Sequence, residues 1–560
     1  MGWKVKGAAL RKPPYWTKKW PARKRPIIIG RLHIMSENTK LSAALSQAVD
    51  SSRRLREKFL ADRTRPGYHY AIPEDFGVPG DVNCCFYARG RYHLMYLYDC
   101  RSDSFRYGHL SSIDLVHWRS HPDALMPDDL DGGIFSGGAF VDDDGTCYMT
   151  FWALPKEGEG YGGVRIAKSS DRNYEVWEKF DDYILECTES GMHETVDADG
   201  KPLYLGCSDP SNIWKKDGKY YVQLGNLPVL LKFNMSGLQE DHLKEPYEGV
   251  PAEIRGDWVD LFESDDLHNW RYVHRFYDRK ADSSWTADDE DDMCPVFLPL
   301  PADEDGEEES GKYLQLFISH NRGCQYYIGT YDKEADKFYP ESHGRMTWVD
   351  NTFFAPEALK APDGRVVMWA WLTDDLNEVE GYNGVNDLGW CGVFGLPRSL
   401  WLKKDGTLGI APIKELKKLR YNETADLAAL DPTSCEIKLE FAVGTGSECG
   451  MYINKSADGT EYTKVYYDAA AQELVMDLTH SGIGNRRVVE RAPLFIVPGE
   501  KLKLDIFIDK AVVEVYANKR QAICRRAYSS CAENTGLEIF AEGGELKKVR
   551  AWDMMPSNMY

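Results

Sequence analysis

Five times along the chain, a short apolar run meets a Gly-marked turn and leaves it as a second apolar run. The turns are RGRYH around Gly90, DGTCY around Gly145, DGKYY around Gly218, SGKYL around Gly311 and DGRVV around Gly364. Aromatic and β-branched residues on both sides of a Gly turn predict a β-hairpin. Between the hairpins lie two similar segments, SSIDLVHW at 111–118 and ESDDLHNW at 263–270. They read as outer strands and strengthen the repeat. A hairpin with its outer strands supplies about four strands, the content of a propeller blade. Residues 67–405 therefore read as a five-bladed β-propeller.

The pattern changes on both flanks. Leu41, Leu45, Ala48, Leu55 and Phe59 fall at helical spacings, so 36–66 reads as an N-terminal helix. Ser36 or Asn38 caps it and Arg65-Pro66-Gly67 stops it. Residues 406–425, with APIKELKKLR at 411–420, read as a linker helix. From 426 to 560, polar and apolar positions alternate, as at 436–443 and at Leu502, Leu504, Ile506 and Ile508. That reads as a C-terminal β-sandwich, acting as a structural cap. The fold class is all-β: a five-bladed β-propeller, then a β-sandwich, with a short N-terminal helical extension. Residues 1–34 hold ten Lys and Arg and no acid. The stretch 1–35 reads either as a basic arm or as sequence ahead of a true start at Met35.

Composition narrows the partners. A formal charge of −21 argues against nucleic acid and anionic membrane. No stretch approaches the ~20 apolar residues of a membrane span. The 13 Cys are scattered and form no CxxC pair. They read as reduced thiols of a cytoplasmic protein, not as a disulfide framework or zinc ribbon. No motif calls for a metal or cofactor, and His69, His93, His109 and His117 read as core or surface residues. The acidic run 303–309 reads as a solvated loop. Oligomeric state stays open, a homo-oligomer included.

Chemistry enters through the repeat. Asp81 and Asp209 each stand nine residues before a turn glycine. Equivalent positions in a radial repeat converge on one central pocket. An Asp in such a place is most often a turn residue, but two at one offset suggest an active site.

The motifs around them resemble glycoside hydrolase family 32, the β-fructofuranosidases. YHY at 68–70, GDVN at 80–83, GRYHLMYLYD at 90–99, YGH at 107–109 and FSGGAFVDDDG at 135–145 carry the likeness. SDP at 208–210, FFAP at 353–356, GLPRSL at 395–400 and VEVYAN at 513–518 continue it in order. The resemblance implies a propeller followed by a sandwich and retaining hydrolysis of a fructose-containing oligosaccharide. It places Asp81 on the nucleophile and Asp209 on the carboxylate that supports the transition state. It places Asn83, Phe135 and Ser136 on the sugar pocket.

The chain also departs from the family. Its acid/base Glu precedes Cys-Pro, and here that residue is Met293. Ser208 replaces an Arg, Val78 a Trp and Leu97 a Gln, so substrate contacts at Ser208 and Met293 differ. One explanation is that another carboxylate supplies the proton. Glu357, two residues past the repeat position of the aspartates, should share their strand face. Asp292, with Glu290 and Asp291 beside it, is the alternative donor. A substrate with an acidic leaving group, a fructosyl-transferring enzyme and a non-catalytic sugar-binding propeller are the competing readings.

Overall fold

The computed structural model describes residues 61–71, 78–99, 104–240, 242–243, 249–279, 284–373, 392–482 and 486–557, with Glu57 and Phe59. The arm expected over 1–35 lies outside them, as does most of the helix expected over 36–66.

The Gly turns close antiparallel hairpins. Ala88 pairs with Arg91 across Gly90, and Lys216 with Lys219 across Gly218. Four of the five glycines sit in hairpin turns, with φ from 80° at Gly90 to 87° at Gly364, a region that a β-carbon penalises. Gly311, at φ 72°, instead lies in the strand Glu309–Ser319 beside a register shift, and the loop 302–308 makes the turn of its hairpin. Five antiparallel sheets follow in chain order: 78–125, 133–186, 208–275, 293–345 and 353–412, here blades I to V. A separate hairpin, Met192–Val196 with Pro202–Gly206, stands between blades II and III. Blade I packs on II, II on III, III on IV, IV on V, and V back on I. The ring closes into a five-bladed propeller.

The likeness between the two outer segments is structural. Leu115 and Leu267 both hold φ 66°. Asp114 accepts from the Val116 and His117 amides, as Asp266 does from those of His268 and Asn269.

Two features shape the axis. A β-carbon on Gly137 would lie 1.9 Å from the Thr150 carbonyl oxygen, and one on Gly138 2.2 Å from the Asn212 nitrogen. At these two glycines the chain can pass the blade's own strand Cys147–Leu154 and Asn212 of blade III only as backbone. The inner strands also bulge. Cys84, Asp209, Cys294 and Ala355 hold φ of 46°, 30°, 48° and 45° beside register shifts. Each bulge re-aims the side chains around it.

The acidic run 303–309 is a loop in which Asp303 accepts from the amides of Asp305, Glu307 and Glu308. The linker helix expected over 406–425 is replaced by two strands, Leu408–Pro412 and Arg420–Thr424, around a single 3-10 helix, Lys414–Leu419. Ile413, Leu416 and Leu419 are buried at spacings of three, the repeat of a 3-10 turn and not of an α-helix. Arg420–Thr424 already pairs with Glu545–Met554 in the sandwich. A six-stranded and a five-stranded sheet form that sandwich, with Ile437, Leu439, Met451, Val465 and Val515 in its core.

Ion pairs join sandwich to propeller. The amides of Gly67, Tyr68 and His69 all donate to Asp509. Glu514 accepts from the Leu396 amide and pairs with Arg398. Arg525 joins Glu490 of the sandwich to Asp350 beside blade V. Burial opposes charge on Asp350, but Arg525 and Thr352 hold its pKa down at about 2. Burial likewise opposes charge on Glu514, which His69 and Arg398 hold at about 2. Carboxylates depressed by folding stabilise the native state at neutral pH and lose that contribution as pH falls from about 4.5 to 2. Each is worth on the order of 2 kcal/mol. Thermal melts at pH 7, 4 and 3 should show a steep loss below pH 4.5, and Asp350→Asn should flatten it.

Candidate active site

Asp81 and Asp209 come from blades I and III and meet at one sulfur. Cys294 Sγ lies 3.8 Å from Asp81 Oδ2 and 3.4 Å from Asp209 Oδ2. Ser136 of blade II donates to the same Asp81 oxygen. Asp81 Oδ1 is buried and has no hydrogen-bond partner among the described residues. The carboxylate is thus gripped by one oxygen, leaving the other uncommitted. Burial raises the pKa of Asp81, with Ser136 and His320 opposing. Burial, then the charge of Asp81, pushes Asp209 up to about 7. The neighbours titrate apart, Asp81 ionising first.

The other expected pocket residues divide. Asn83 is buried and works on backbone: it donates to the Asp81 carbonyl and accepts from the Gly137 amide. It positions Asp81 against blade II. Half-buried Phe135 packs on Phe105 and Trp152, at ring centroid distances of 5.2 Å and 5.3 Å. Ser208 is fully buried and donates to the Gly225 carbonyl at 3.1 Å. Met293 Sδ lies 3.6 Å from Ser208 Oγ and 3.4 Å from the Leu227 nitrogen. With Leu227, Cys294, Phe354 and Trp371, Met293 forms an apolar wall beside the carboxylates.

The proposed proton donors do not join that group. Glu357 is buried against Cys85, whose Sγ lies 3.4 Å from Oε1. No described hydrogen bond links it to Asp81 or Asp209. Sharing a strand face is not sharing a level: two residues along a strand is about 6–7 Å of depth. Asp292 accepts from Tyr277 at 2.7 Å and Gln315 at 3.4 Å. Glu290 is held by Arg345 at 2.8 Å and by Gln325 at 2.8 Å.

Asp291 instead holds His320, a residue that sequence reasoning missed. His320 Nδ1 lies 2.8 Å from Asp291 Oδ2, and its amide donates to Oδ1 at 3.0 Å. The imidazole bears electrostatically on both Asp81 and Asp209. It stands nine residues after Gly311. Counting forward from the turn as well as back would have raised it.

This pocket on this fold has known counterparts. The N-terminal domain of glycosyl hydrolases family 32 matches residues 73–231 and 249–412, and the C-terminal domain of that family matches 412–553. The chain belongs to glycosyl hydrolase family 32. It is 26% identical over 544 residues to a levanase of Bacillus subtilis (strain 168), covering 90% of this chain and 71% of the relative. It is 26% identical over 481 residues to a probable sucrose-6-phosphate hydrolase of Psychromonas ingrahamii, covering 82% and 76%. Fructan 1-exohydrolase IIa from Cichorium intybus superimposes with a TM-score of 0.69 at 19% identity, covering 88% of this chain and 98% of that one. Sucrose-6-phosphate hydrolase from Lactobacillus gasseri gives 0.70 at 21%, covering 91% and 97%. The two structures share the fold.

As a family 32 chain, this one puts an apolar thioether where a proton donor is expected. Glu357 is engaged by Cys85, and Asp292 by Tyr277 and Gln315. Burial, opposed by Cys85 and nearby amides, raises Glu357 to about 8, so it is neutral at pH 7 and Gln mimics it. Glu357→Gln should keep activity within about threefold, since it removes no charge and touches no pocket group. Steady-state kinetics on the purified variant checks this.

Proposed function

We propose that this chain hydrolyses β-fructofuranosides with retention of configuration, through a fructosyl ester on Asp81. The observation that carries the reading is the pair of carboxylates from different blades on one sulfur, with Asp81 Oδ1 unpartnered. An uncommitted buried carboxylate oxygen is costly unless a reaction or ligand uses it.

Each residue has a task. Ser136 and Cys294 fix Asp81 Oδ2, so Oδ1 attacks the anomeric carbon. Asp209, once ionised, accepts hydroxyl protons of the sugar and opposes the positive charge of the oxocarbenium-like transition state. The indole N–H groups of Trp152 and Trp371 are buried without partners among the described residues, which suits a hydroxyl-rich ligand. The names of the relatives, levanase and sucrose-6-phosphate hydrolase, point to the same substrate class.

Met293 favours a second reading, a sugar-binding propeller without turnover. A screen against sucrose, short fructans, difructose anhydrides and aryl fructofuranosides separates the two. The enzyme releases fructose from at least one of them, whereas a binding module binds and releases none.

A further inference from the structure

We infer that His320, oriented by Asp291, is the proton donor that replaces the carboxylic acid absent at position 293. The inference rests on the fructosidase reading above.

The geometry is that of an oriented imidazole at the pocket wall. His320 follows the blade IV strand Glu309–Ser319, and Ile318 of that strand pairs with Met293. Asp291 grips it at two points, amide and Nδ1. A carboxylate on Nδ1 fixes the tautomer and leaves Nε2 as the working end. No described residue hydrogen-bonds Nε2. The ring packs edge-to-face on Phe354, at 5.4 Å and 78°. Asn351 Nδ2 holds the His320 carbonyl at 2.7 Å. The His320 side chain keeps 13% exposure, whereas that of Asp291 beside it keeps 1%. A donor to a leaving group needs such an opening.

The charges agree with the geometry. The groups facing the imidazole are Asp291, just ahead of blade IV, Asp209 of blade III and Asp81 of blade I. Burial disfavours the imidazolium, but these three carboxylates outweigh it and raise the His320 pKa above the ordinary value. The carboxylates thus favour the charged ring, the form that holds a proton to give.

The step balances. Asp81 Oδ1 forms a bond to the anomeric carbon as the bond to the leaving oxygen breaks. The Nε2 proton passes to that oxygen, so the alcohol leaves neutral and the imidazole becomes neutral. In the second half, water attacks the anomeric carbon and gives its proton to Nε2. The Asp81 ester bond breaks, returning the carboxylate and the imidazolium. Asp291 touches no reacting atom and is a positioning residue.

The test is His320→Gln, beside Asp291→Asn and the unaltered enzyme. The substrates are sucrose and an aryl β-fructofuranoside with an acidic phenol. On sucrose, His320→Gln should lose on the order of 10²–10⁴ in kcat/KM. On the aryl substrate, whose leaving group needs no proton, the loss should stay under about tenfold, and the alkaline limb of the pH profile should vanish. Added azide should speed turnover and yield β-fructosyl azide. Asp291→Asn should move the alkaline limb to lower pH. In the unaltered enzyme, the His320 imidazole resonance should titrate with that limb, a readout independent of whether the variants fold.

Sucrose activity within about threefold of wild type in His320→Gln would overturn the inference. So would equal losses on both substrates with the alkaline limb unmoved, or a His320 resonance that titrates elsewhere. Those results leave the fructosidase reading standing. An unaltered enzyme inert on every fructoside removes that reading and this one together.

Discussion

Asp81→Asn is expected to lower kcat on any fructoside by on the order of 10³-fold or more, leaving the fold intact. The substitution is near-isosteric, and an amide can still accept from Ser136 and pack on Cys294. It cannot form the ester. Asp81 also carries the negative charge that pushes up Asp209. In the variant Asp209 should ionise at lower pH, visible as a shift of any residual rate. Substrate affinity should change far less than kcat, because the lost group acts on the anomeric carbon and not on the sugar's hydroxyls. Equilibrium binding of sucrose to the variant, measured calorimetrically, checks this split. A variant retaining a tenth of wild-type kcat would remove Asp81 from the nucleophile's place.

The second large effect belongs to Asp209→Asn. Asn tolerates the left-handed backbone at this bulge, where φ is 30°, so the variant should fold. It loses the charge facing the transition state, a change worth roughly 10²–10³ in kcat at a preorganised site. The pH profile supplies the sign. Burial and Asp81 raise Asp209 to about 7, and the ionised form is the active one. In the wild type kcat/KM should therefore rise as pH climbs through about 7. In Asp209→Asn the limb at about 7 should be lost. An unshifted acidic limb would mean that another group governs it.

Much of this was legible in the chain because hairpins are local. Turn chemistry at Gly90, Gly145, Gly218 and Gly364 depends on a few adjacent residues and marked four blades, while Gly311 marked the fifth from within its strand Glu309–Ser319, just past the turn. Asp81 and Asp209 followed from the repeat, since equal offsets from a turn place residues at equal heights. The imidazole near the carboxylates was not legible in the same way. Offsets were counted on the entering strand only, so His320 on the returning strand went unseen. The bulges at Cys84, Asp209, Cys294 and Ala355 reset alternation locally, and no residue type announces them. Asn83 was placed on the sugar pocket by the family resemblance, and the structure adds that its amide also ties the backbone of Asp81 to that of Gly137. The linker helix failed for a simpler reason. Over six residues, apolar spacings of three look helical, but they build a 3-10 turn whose flanking strands belong to the two domains.

The central claim is double displacement through Asp81, and methanolysis tests it most directly. With a β-fructofuranoside in aqueous methanol, the covalent route places methanol on the face that the leaving group vacated. Proton NMR of the methyl fructoside is predicted to show the β-anomer alone from the wild type and none from Asp81→Asn. The α-anomer, or wild-type hydrolysis that persists in Asp81→Asn, would contradict the account.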